Sequence, residues 1–118
     1  MRKPDLPKHL KRLLHEHVGL AHEEELRRAL LPLAEDFDRW RRGEMGSGEL
    51  SHRIHVFHEG PAREVWTSYN QVPPDLAVAF AIRRGVLQRE NVPPELLEHL
   101  GPALDFYASQ HAEVPTAE

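Results

Sequence analysis

Leu26, Leu30, Leu33, Phe37 and Trp40 follow one another at steps of four, three, four and three residues. Only an α-helix, at 3.6 residues per turn, keeps such a series on one face; on a strand the same letters would scatter to both sides. Nowhere does the chain sustain period-two alternation, and β-branched residues are few. The expectation is therefore an all-α fold.

Helix-terminal chemistry divides the 118 residues into about five helices. The first is expected from Leu6 to His17, capped by Asp5, with Pro7 tolerated in its first turn and Gly19 stopping it. The second runs from Ala21 to Arg42. Glu23, Glu24 and Glu25 open it and Arg39, Arg41 and Arg42 close it, an order that complements the helix dipole. Pro32 lies inside it; because the apolar stripe keeps its register there, a kink is expected rather than a break. Gly43 ends this helix, and residues 43–48 form a turn. Ser47 is expected to cap a third helix, Gly48 to Tyr69, with Leu50, Ile54, Phe57, Pro61 and Val65 inward and a kink at Pro61.

Two matching starts follow, Val72-Pro73-Pro74-Asp75-Leu76 and Val92-Pro93-Pro94-Glu95-Leu96, each placing proline and an acid in a first turn. The first opens a helix from Asp75 to Arg84 that is apolar on nearly every side, the pattern of a buried central helix, with Gly85 as its stop. The second opens a helix to about Ser109, kinked at Pro102. The reading is one compact helical domain over residues 1–111 and a flexible tail over 112–118.

Composition narrows the chemistry. There is no cysteine, so disulfides, thiolate metal sites and a cysteine nucleophile are excluded. The basic start of the chain is followed by no long apolar run, which points to a cytoplasmic protein without a membrane segment. The nine histidines, if all protonated, add nine charges and carry the formal net charge from −4 to +5. A net negative charge disfavours nucleic acid as partner. Two basic groups nevertheless define where it would bind: Lys3, Lys8, Lys11 and Arg12 in and before the first helix, and Arg39, Arg41, Arg42 and Arg53 around the 43–48 turn.

The third helix concentrates the reactive groups. On a helical wheel His52, His55, Glu59 and Trp66 fall within about 60° of one another, opposite the apolar stripe. His52, His55 and Glu59 offer two imidazoles and a carboxylate, a donor set that suits zinc or iron if a further helix supplies ligands. This defines a metal-dependent or acid–base reading, although Glu49-Leu-Ser-His52 supplies only half of a di-iron pattern and no His-Glu-x-x-His occurs. The favoured reading needs no cofactor. His55, Arg63, Trp66 and Tyr69 form an outward aromatic and cationic set, the residue types that anchor protein partners or a second subunit.

Overall fold

The computed structural model describes residues 6–113, with side chains through Ala108. The fold is all-α. Among the described residues are α1 (Lys8–Arg41), α2 (Ser47–Glu59), α3 (Pro61–Asn70), α4 (Pro74–Arg83), α5 (Pro94–His99) and α6 (Gly101–Glu113), with a 3-10 turn at Arg89–Asn91 between α4 and α5. They divide into two compact units, one of residues 6–21 with 72–113 and one of residues 22–71; the division falls inside α1. Residues 112 and 113 belong to α6, and the rest of the expected tail lies outside the described residues, as do Asp5 and its expected cap.

Three expected boundaries are corrected. Gly19 does not stop a helix: α1 runs through it and through Pro32 as one element of 34 residues. A glycine inside a helix costs only about 1 kcal/mol, less than the hydrogen bonds on either side return. At Pro61 the helix breaks rather than kinks. Gly60 takes φ −110° and ψ −94°, outside the helical region, and Pro61 becomes the first residue of α3, where its missing N–H is no loss. Likewise the expected kink at Pro102 is a break at Leu100, which caps α5 before α6 begins at Gly101.

The expected stops at Gly43 and Gly85 hold. Both have positive φ, 80° and 77°. After α1, the Gly43 amide donates to the Trp40 carbonyl at 3.0 Å and the Glu44 amide to that of Arg39 at 2.8 Å. After α4, the Gly85 amide donates to Ile82 at 3.1 Å and the Val86 amide to Ala81 at 2.9 Å. This paired closure satisfies carbonyls that the helix leaves over, and it needs a left-handed residue at the glycine.

The unit of residues 6–21 and 72–113 holds a continuous apolar core. Leu14 of α1, Val78, Ala79 and Ile82 of α4, Val92, Leu96 of α5, its cap Leu100, and Leu104 of α6 are all buried in one cluster. The apolar-all-round α4 is its centre, as its composition requires. His17 is also buried; its Nδ1–H donates to the Leu13 carbonyl at 2.7 Å, which satisfies the polar atom within its own helix.

The unit of residues 22–71 is an antiparallel hairpin, α1 running one way and α2 and α3 returning. Trp40 meets Ser47, Asp36 meets Arg53, and Glu25 meets Tyr69, a register that reverses along the two arms. Ser47 is the first residue of α2, not its cap; Gly46 takes that place, and the Ser47 hydroxyl accepts from the Trp40 indole N–H at 2.9 Å. This hairpin is thinly cored. Met45, Leu50, Val65 and Tyr69 are buried, whereas Leu30, Leu31, Phe37, Trp40, Ile54, Val56 and Trp66 remain exposed. The stripe expected to be core in α1 is therefore only half used. Glu25, Ala29, Pro32 and Asp36 point at α2 and α3 or line the cleft between them. That face lies about 90° round the helix from the centre of the leucine stripe.

Candidate functional site

The break at Gly60 shapes the surface that the sequence singled out. Where α2 gives way to α3, His58, Glu59, Ala62, Arg63 and Trp66 line an open hollow of about 440 Å³. Trp66 is half exposed, and Arg63 reaches back to Glu59 at 3.6 Å. This pair spans the break at a spacing of four residues, which continues the helical register across it. Both side chains are largely in solvent, so the pair contributes little to stability and leaves the guanidinium available to a ligand. The hollow thus offers an indole face, a cation, a carboxylate and an imidazole on one wall.

Tyr69 does not belong to this surface. It is 7% exposed, its hydroxyl donates to Glu25 Oε1 at 2.6 Å, and its ring stacks on His22 with centroids 5.6 Å apart. Burial pushes its phenol up to about 12. The outward direction expected for it assumed one continuous helix from residue 48. On a continuous wheel Tyr69 lies only about 40° from the buried Val65, at the boundary between the two faces, and its partners His22 and Glu25 on α1 draw it inward. Tyr69 is a tie between the arms of the hairpin.

The structure does not bring the expected metal ligands together. His52, His55 and Glu59 are all exposed on α2, and among the described residues no group of three histidines or carboxylates could hold an ion. The three are spread along about 10 Å of axis at 1.5 Å per residue, and among the described residues no other side chain completes the set. His55 lies on the exposed side of α2 but does not line the hollow; His58, one turn nearer the break, does. On the helical wheel His58 falls about 60° from the core stripe, nearer to it than His52, His55 or Glu59, so periodicity does not mark it as outward.

The four arginines proposed for nucleic acid are each held by carboxylates. Arg39 lies 3.9 Å from Asp36, Arg41 pairs with Asp38, Arg42 sits 2.8 Å from Glu44, and Arg53 reaches both Asp36 at 3.6 Å and Glu49 at 2.9 Å. Pairing of this kind cancels much of the positive field that phosphate binding uses. Lys8, Lys11 and Arg12 are exposed on α1, and Lys3 lies outside the described residues. Among the described residues no helix is long and apolar enough to cross a membrane.

No family model matches the chain, and neither does any curated protein or solved structure.

Proposed function

We propose that this chain is a protein-interaction module whose working surface is the hollow around Trp66. The observation that carries the reading is the half-exposed Trp66 indole beside Ala62, Arg63 and His58. Tryptophan and arginine dominate the energy of protein interfaces, because each combines a large contact area with a directional polar group. The partner that suits this wall presents an apolar side chain to cover the indole and a carboxylate to take Arg63 from Glu59. No cofactor enters this reading.

The test is a comparison of baits. Wild type, Trp66→Ala, Arg63→Glu and, as a control in the other unit, Glu98→Ala are immobilised and exposed to the same cell extract. A protein retained by wild type and Glu98→Ala but lost by both hollow variants supports the reading, with Trp66→Ala costing about 2 kcal/mol or more of affinity in the purified pair. Equal retention by all four baits disposes of it.

A further inference from the structure

The back of α1 in the hairpin unit, the side turned away from α2 and α3, carries a second surface. Glu23, Arg27, Leu30, Leu31, Ala34, Asp38 and Arg41 fall within about 100° of one another there. Leu30 is 41% exposed and Leu31 49%. The run Ala29-Leu30-Leu31-Pro32-Leu33-Ala34 is uncharged on every side, a composition that belongs in an interior, yet half of it faces outward. A two-armed hairpin of 50 residues lies near the size at which a single chain closes a core unaided.

The order of charges along this face names what covers it. From the amino end it reads acid at Glu23, base at Arg27, apolar at Leu30, Leu31 and Ala34, acid at Asp38 and base at Arg41. Reversed, the face meets its own complement. If a second copy lies antiparallel with a two-fold axis beside residues 32 and 33, Glu23 falls opposite Arg41, Arg27 opposite Asp38, and Leu30 and Leu31 opposite Ala34, whose small side chain lets the helices approach. A parallel copy would instead set each charge against itself. Within its own helix Arg27 already binds Glu24 through two hydrogen bonds, and Arg41 pairs with Asp38. The cross-pairs extend these local pairs at the edge of an apolar centre, the anatomy of an isologous interface.

We infer that the protein forms a two-fold dimer by antiparallel packing of α1 residues 23–41 against the same segment of a second copy. The inference does not rest on the Trp66 hollow, which lies on the opposite arm of the hairpin.

Because the chain has no cysteine, single cysteines test the geometry directly. In the full-length protein Ala34→Cys lies beside the axis, within disulfide reach of its equivalent. Glu23→Cys is on the same face, but its two copies would be about 28 Å apart along the axis at 1.5 Å per residue. Under mild oxidation Ala34→Cys is expected to become covalent dimer while Glu23→Cys stays monomeric on a denaturing gel. Equal cross-linking of both, or of neither, overturns the proposal.

Light scattering gives the second readout. Wild type at about 50 µM should show twice the 13.6 kDa chain mass, and Asp38→Arg should raise the dissociation constant at least about tenfold by setting arginine against Arg27. The exchange Arg27→Asp with Asp38→Arg should restore it, with helix content followed by circular dichroism in every variant. A monomeric wild type, or a double variant no tighter than Asp38→Arg, also overturns it.

Discussion

The hydrogen bond from Tyr69 to Glu25 should be the main polar tie of the hairpin unit, and its removal can be worked out in advance. Tyr69→Phe deletes one hydroxyl and keeps the ring, so the His22 stack and the packing beneath it survive. A hydrogen bond to a charged acceptor contributes about 1.5–3 kcal/mol net. Glu25 is only half-buried and has a further interaction of its own, so it regains solvation cheaply. The lower end applies, about 1.5 kcal/mol. Tyr69→Ala also loses the buried ring, and the total should reach about 3–5 kcal/mol.

Both tryptophans, Trp40 and Trp66, lie in this unit, so urea unfolding followed by tryptophan fluorescence reports it selectively. Alkali supplies an independent check. Below pH 10 the phenol is protonated in both folded and unfolded chains and the stabilisation is complete. Between about 10 and 12 the unfolded chain loses its proton first, so stability falls as pH rises towards the folded value of about 12. Tyr69→Phe should lose that slope. A variant within about 0.3 kcal/mol of wild type, below the usual scatter of surface changes, or a Tyr69 phenol that ionises with free tyrosine, would refute the reasoning.

Three further outcomes are expected. Leu96→Ala, at a position with no exposure in the cluster that contains α4, should cost about 2–5 kcal/mol, measured by thermal unfolding with circular dichroism. Glu24 accepts from Arg27 and Arg28, and these bonds hold its carboxyl down at about 2; carbon-13 titration of the side chain should place its midpoint there. Its contribution to stability is present above the ordinary carboxylate value of 4.5 and is lost as pH falls towards 2, and added salt should raise the midpoint because the pair is exposed. Gly85→Ala meets no atom within 4 Å, so any loss it shows is backbone strain at φ 77°; about 1 kcal/mol is expected from urea unfolding, and no loss would contradict the left-handed stop after α4.

Much of the fold could be read along the chain because its signals are local. The proline–acid starts at 73–76 and 93–96 open α4 and α5, and Gly43 and Gly85 close α1 and α4 with the expected bonds. Local signals failed where two local terms compete. Gly19 resembles a stop, but no proline or capping set accompanies it, and the turns on both sides hold the helix together. Gly60-Pro61 and Gly101-Pro102 resemble kinks, but a proline placed in the first turn of a new helix loses no hydrogen bond, so a clean restart is cheaper than a strained ladder, with Gly60 leaving the helical region at the first break and Leu100 ending α5 at the second. The candidate surface was half legible. Trp66 and Arg63 face outward with Glu59, whereas His58 replaces His55 in the hollow and Tyr69 turns inward.

Periodicity and end chemistry depend on neighbours within a turn or two, so helix content and the apolar wrap of α4 follow from the amino acids in order. Which way a helix faces depends on what packs against it. In α1 the side that meets α2 and α3 is rotated from the leucine stripe, which leaves Leu30 and Leu31 in the open. In α3 the partners on α1 turn Tyr69, a residue at the boundary of two faces, inward to Glu25, while Trp66 stays in solvent. A wheel drawn from one segment has no knowledge of its partner, and rotation about a helix axis is set only when two surfaces meet.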